Sequence, residues 1–245
     1  MAKTTAKPSK ARRKKAAAPM RPLSLRQGLR WLVRGVLAVA AVFLGLIVLF
    51  SVLRPPTTPY ILAEGWRHGG VERTWVPFED IAPIMARTTV AAEDANFCLH
   101  WGFDMAAIRT ALEAGAGRGA STLSQQTVKN VFLWHGRSWP RKALEALITP
   151  VVELIWTKRR ILEVYLNVAE FDQGVFGVDA AARHYFGVSA ADLSPTQAAR
   201  LAAVLPDPKG RSASQPSAFV QRRASAILDG AETIRRDGRA ACFED

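Results

Sequence analysis

The segment SWPRKALEALITPVVELIWTKRRILEVYLNVAEF, residues 138–171, decides the fold class. It reads as a long helical pattern starting near Ser138, with Pro140 acceptable in the first turn. Pro150 should kink or split it, because proline removes a helical donor and crowds the preceding turn. Outward from this segment the pattern stays helical. DIAPIMARTTVAAEDANF, residues 80–97, reads as a helix on which Glu93, Phe97 and His100 share one face. Thr122 and Gln125 form a capping box, so a helix should start near 122. DAAARHYFG should stop at Gly187. SPTQAARLAAVLPDP has Ser194 as cap, Pro195 first, Gln197 closing the box and Pro206 ending it. A last helix spans about 217–237. Strand signals are confined to residues 70–78, and the class is mainly α.

The net charge of +12 belongs to a tail. Eleven Lys/Arg lie in residues 1–34 without an acid, and the first acid is Glu64. The remainder is nearly neutral, whereas a nucleic-acid-binding domain carries its excess on the folded part. No nucleic-acid partner is expected. After the tail comes GVLAVAAVFLGLIVLFSVL, residues 35–53, which has no charge and is long enough to cross a bilayer. The basic flank puts the N-terminus in the cytoplasm. RPPTTPY follows, a poor cleavage site for a signal peptide, so the segment reads as an uncleaved anchor. The expected organisation is a basic disordered tail (1–29), an anchor (30–53), a linker (54–63) and one domain (64–240). Cys98 and Cys242 stand 144 positions apart. An extracytoplasmic domain would permit a disulfide, but sequence does not show proximity. Two free thiols, or one buried in the 91–104 helix, is the bland reading.

Four segments could carry chemistry. AAEDANFCLHWGFD, residues 91–104, sets Glu93 and Asp94 against apolar residues. A carboxylate held by apolar walls has its pKa raised and can serve as a general base. A metal set of Glu93, Cys98, His100 and Asp104 matches no standard zinc spacing. GRGASTLSQQTVKN, residues 117–130, is a Gly-rich loop entering a helix, with Ser121, Thr122, Gln125 and Gln126 as hydrogen-bonding groups and Arg118 and Lys129 as cations. Amides at a helix start with nearby cations suit a phosphate. GRSWPRKALEA, residues 136–146, adds Arg141, Lys142 and a second carboxylate, Glu145. The bland reading of Arg141 and Glu145 is a helix-surface pair worth tenths of a kcal/mol. TKRRILEVYLN, residues 157–167, adds Lys158. Paired carboxylates resemble glycosidic chemistry. The cations favour transfer from a phosphate-linked sugar, whose leaving group is an anion rather than an alcohol.

At these motifs the sequence resembles the peptidoglycan glycosyltransferases, glycosyltransferase family 51, and within it the monofunctional biosynthetic branch of Gram-negative bacteria. The resemblance rests on AEDANFCLHWGFD, GASTLSQQTVKN, LWHGRSWPRKALEA, TKRRILEVYLNVAEF and GVFGVDAAARHYFG, in order over about 90–187. It implies a lysozyme-like helical lobe, a smaller membrane-apposed lobe, and lipid II and the growing glycan as partners at the cell inner membrane, with the domain periplasmic. Residues 131–139, with Phe132, Trp134 and Trp139, would meet the lipid. By motif match Glu93 is the base and Glu145 the second carboxylate. Lys129, Arg141, Lys142 and Lys158 hold the diphosphate or nearby sugars, and Ser121, Gln125 and Gln126 form the polar loop at the groove. No cofactor is required by the resemblance. It leaves room for a divalent cation such as Mg at the diphosphate, and for division or elongation proteins as partners. Thr127 and Arg160 depart from the family's usual Leu and acid. Two alternatives stay open: an anchored lytic glycosidase with Glu93 as acid, and a non-catalytic scaffold.

Overall fold

A computed structural model describes Met1 and residues 25–115, 119–136 and 138–244. Helix α1 (Leu25–Phe50) is, among the described residues, the one helix long and apolar enough to cross a membrane. It starts five residues before the expected anchor and ends three before its end. Leu25, Leu29, Leu32, Leu37 and Val42 are all exposed. Side chains of that kind belong in lipid rather than in water.

Residues 45–245 form one compact unit. Its elements are α2 (Pro59–His68), β1 (Glu72–Arg73), α3 (Pro83–Glu93), α4 (Met105–Glu113), α5 (Leu123–Phe132), α6 (Trp139–Ile155), α7 (Lys158–Val168), β2 (Glu170–Asp172), β3 (Val175–Phe176), α8 (Val178–Phe186), α9 (Pro195–Val204) and α10 (Ala218–Arg236). Helix α5 packs on α6 and α7, and α3, α9 and α10 pack together. Leu123, Val128, Ile161, Leu162, Leu166 and Phe171 are fully buried. Both capping boxes form, at Thr122 with Gln125 and at Ser194 with Gln197. Helix α8 ends at Gly187 in the left-handed conformation, as expected.

Several expectations are narrowed or corrected. Pro150 lies inside α6 without splitting it. The break comes at Trp156, whose backbone is extended, and Thr157 caps α7 by accepting from the Arg160 amide. Strands also occur beyond 70–78: β3 pairs parallel with β1 and antiparallel with β2. At two or three residues each, they are too short to show alternation. Glu93, Phe97 and His100 do not share a helix face, because α3 ends at Glu93 and residues 97–99 form a 3-10 turn. Finally, Cys98 and Cys242 form a disulfide with Cα atoms 5.6 Å apart. The segment after α10 folds back: Phe243 meets the Phe97 ring, and Arg239 donates to the Ala95 carbonyl at 3.0 Å.

The connector is held rather than loose. Trp156 donates to the Ile47 carbonyl, Arg160 to those of Phe50 and Leu53, and Arg73 to those of Pro55 and Pro56. These include the Phe50 carbonyl at the end of α1, where a helix leaves its last carbonyls without a partner of their own. Helix α2 begins within the expected linker, at Pro59. Phe132 also differs from its expected lipid-facing role: it is buried and packs near Phe50 and Trp156, whereas Trp134 and Trp139 are exposed.

Gly102 fixes how the loop after α3 lies on α6. It has φ +84°, and a Cβ there would sit 2.6 Å from Thr149 Cγ2. Gly102→Ala is expected to cost about 2–4 kcal/mol from backbone strain and overpacking together. Thermal melting should register this as a fall of roughly 5–15 °C in Tm. An unchanged melting curve would mean that the loop does not require this approach.

Candidate active site

Glu93 is the last residue of α3, and its two carboxylate oxygens differ. Oε2 accepts from Gln126 Nε2 at 2.9 Å, while Oε1 is buried without a hydrogen-bond partner among the described residues. Gln126 is oriented in turn by Tyr165, whose hydroxyl donates to Gln126 Oε1 at 3.2 Å. Burial raises the Glu93 pKa above the ordinary glutamate value; the Gln126 bond and the charges of Arg223, Lys129 and Arg211 pull it partly back. A carboxylate with one anchored and one open oxygen, made more basic by burial, can take a proton.

Asp94 is structural. Its Oδ2 accepts from the Leu123 amide at 2.9 Å and its Oδ1 lies 2.9 Å from His100 Nε2. It therefore ties the end of α3 to the start of α5. Asp104 caps α4 and bonds Asn96. Of the conceivable metal set, Cys98 is in the disulfide, Asp104 is engaged in the α4 cap, and His100 meets Asp94 through Nε2.

Lys129, one turn beyond Gln126, lines a cavity of about 300 Å³ together with Tyr60, Gln126, Asn130, His135 and Tyr165. It has no hydrogen-bond partner among the described residues. Burial lowers its pKa, and the charges of Glu145 and Glu93 oppose that shift. Glu145 is not on the surface: its side chain is 3% exposed, 2.6 Å from Arg141 Nη1 and bonded to Lys142 Nζ. The surface-pair reading therefore fails. A buried carboxylate with two cations is a fixed array, in which loss of one partner strands the others. Lys142 also bonds Ser121 Oγ at 3.0 Å, and Arg141 donates to the Gly136 carbonyl.

The structure thus gathers Gln126 and Lys129 at Glu93, and Ser121, Arg141 and Lys142 at Glu145. Thr122 and Gln125 are buried in the cap of α5, with Thr122 also bonding the Gly102 carbonyl. Lys158 directs its ammonium to Glu153 and the His100 carbonyl, both at 2.8 Å, and lies over the Phe97 ring. Arg118 lies outside the described residues. Sequence reading missed Tyr165, Tyr60, His135, Lys209, Arg211 and Arg223. The last three follow α9 in a stretch read only for its helix stop and the next helix.

The family model described as Transglycosylase matches residues 62–232. This chain belongs to that family. The transglycosylase is 64% identical over 214 residues to a biosynthetic peptidoglycan transglycosylase of Jannaschia sp. (strain CCS1), covering 87% of this chain and 90% of the relative. Relatives of the same description from Pseudomonas fluorescens (strain SBW25) and Caulobacter vibrioides (strain ATCC 19089 / CIP 103742 / CB 15) are 49% and 45% identical. They cover 82% and 80% of this chain, and 87% of each relative. The transglycosylase is accordingly an enzyme, a glycosyltransferase of peptidoglycan biosynthesis, which removes the scaffold alternative.

Proposed function

We propose that this transglycosylase polymerises lipid II into linear β-1,4 glycan and releases undecaprenyl diphosphate. The observation that carries the reading is a pair of unpartnered groups. Among the described residues, Glu93 Oε1 is buried without a hydrogen-bond partner, and the Lys129 ammonium, which donates to none of them, lines the adjoining cavity. In one displacement, Glu93 Oε1 takes the proton from the acceptor sugar's 4-hydroxyl as that oxygen bonds C1 of the donor. The C1–O bond to the diphosphate breaks, its electron pair leaves with the diphosphate, and C1 inverts. Gln126 and Tyr165 hold the base. Lys129 meets the departing anion, with Arg141 and Lys142 steadied beside it by Glu145. Cations already in place where charge develops require no reorganisation at the moment of reaction.

Arg141 and Lys142 each bond one Glu145 oxygen, so the array supplies positive charge beside the diphosphate from the protein's own side chains. Cations around a single carboxylate, with Lys129 nearby, receive an anion directly. No step is assigned to a metal. The disulfide supports a domain outside the cytoplasm, since cytosolic thiols are kept reduced. It agrees with an N-terminus placed inside by the basic tail.

The test is incubation of the full-length protein with purified lipid II in liposomes, read as glycan length. Long glycan is expected. Lipid II left intact while finished glycan is cut would put the lytic reading in its place. Acidity separates the two roles as well. With the Glu93 pKa raised by burial and facing Arg223, Lys129 and Arg211, a base loses activity as pH falls through that pKa. An acid would lose it as pH rises. A pH–rate profile of kcat/KM should show an acid limb above the ordinary glutamate range.

A further inference from the structure

The cavity has two chemically different sides. One side is lined by the Lys129 ammonium with the neutral groups of Gln126, Asn130 and Tyr165. On the other, Tyr60 and His135 lie face to face, with ring centroids 3.3 Å apart and planes within 6°. Tyr60 is fixed from behind, edge-on to Phe176 and bonded through its hydroxyl to Glu170. His135 Nε2 lies 3.1 Å from Asn130 Oδ1. The charges around this stack are mutually compensated: Lys209 bonds Glu64 at 2.8 Å and lies 3.5 Å from Glu170. Arg67 and His68 also pair with Glu64. Both rings line the cavity, and His135 as a residue is exposed.

From this juxtaposition, and resting on the polymerase reading above, we infer that the Tyr60–His135 stack is a saccharide subsite. It receives the apolar face of one neutral pyranose ring of the glycan, next to the Lys129 side that takes the diphosphate. A pyranose presents C–H groups on its face and hydroxyls around its rim. A rigid, uncharged aromatic platform bordered by polar groups matches that shape. The imidazole is uncharged: shelter of its stacked face, then the charges of Lys129, Arg141 and Lys209, hold its pKa down to about 3. An Nε2–H given to Asn130 Oδ1 leaves Nδ1 to accept from a sugar hydroxyl.

The probe is chitotetraose, a soluble β-1,4-linked N-acetylglucosamine tetramer without lipid or phosphate. It is titrated into the full-length protein in detergent and followed by saturation-transfer NMR and calorimetry. The intact chain should bind it. His135→Ala, at an exposed position, should weaken binding roughly 3- to 10-fold, the scale of one ring contact. His135→Phe, which keeps the ring face, should recover most of it. In polymerisation, His135→Ala should raise KM for lipid II with little change in kcat, the sign of uniform binding lost. No binding by the intact chain, or equal binding by intact chain and His135→Ala, overturns the subsite. Those failures are separable from failure of the polymerase reading. Glu93→Gln should still bind chitotetraose, and an intact chain that polymerises lipid II with His135→Ala unchanged leaves the polymerase standing without the subsite.

Discussion

Glu93→Gln is expected to lower kcat for lipid II polymerisation by about 10²–10⁴-fold, the usual contribution of a positioned general base. The substitution keeps the side chain's size and an oxygen that can still accept from Gln126. Only the capacity to take a proton is removed. Stability should move the other way, or not at all. The folded-state pKa of Glu93 lies above its ordinary value because burial disfavours the charge. Below the unfolded pKa the side chain is protonated in both states and contributes no difference. As pH rises between the unfolded and folded values, the folded state holds its proton longer. Stability therefore falls through that window, and the ionised side chain is a net cost at neutral pH. Glutamine does not ionise, so the variant should melt at the same temperature or higher at pH 7. Retained polymerisation in a well-folded Glu93→Gln protein would exclude Glu93 as the base. A lowered Tm would show that the charge is stabilising where it sits.

Loss of the disulfide should have the largest effect on stability. The bridge closes a loop with a sequence separation of 144 residues. On the chain-entropy account, a loop of that size brings the stabilisation to about 5 kcal/mol, at the top of the usual 2–5 kcal/mol range. Cys98→Ser with Cys242→Ser should accordingly lower Tm by roughly 4–20 °C. The effect should reach the active site, because Cys98 lies four residues beyond Asp94 in the loop that joins α3 to α4. Polymerisation by the double variant should decline at temperatures where the intact protein is still fully active. Equal melting curves for oxidised and reduced protein would show that the packing of Phe243 and the Arg239 bond hold this segment without the bridge.

The sequence announced some of this and concealed the rest for physical reasons. Capping boxes are local, three residues apart, so the starts of α5 and α9 could be read directly. The break between α6 and α7 was misplaced because Pro150 is conspicuous and Thr157 is not. An interior proline can be tolerated, while a threonine cap shows only through its bond to the Arg160 amide. Glu93 stood out by its apolar neighbours, yet its support by Gln126 and Tyr165 comes from two other helices. The cavity wall was harder still. Tyr60, His135 and Lys209 come from α2, the α5–α6 loop and the stretch after α9, and no spacing rule joins them. The cysteine pair failed for the same reason, since separation along the chain says nothing of closeness in space.

The carbonyls held by Trp156, Arg160 and Arg73 bear on where this enzyme can be cut. By hydropathy the natural place to sever the domain from its membrane segment is Arg54, where the uncharged run ends. That cut would strip Trp156 and Arg160 of the acceptors at residues 47, 50 and 53 and would remove buried Ile47. The compact unit instead reaches back to Gly45, within the apolar run. The last stretch of that run therefore serves two solvents, and a water-soluble form that keeps the fold must carry some greasy residues with it.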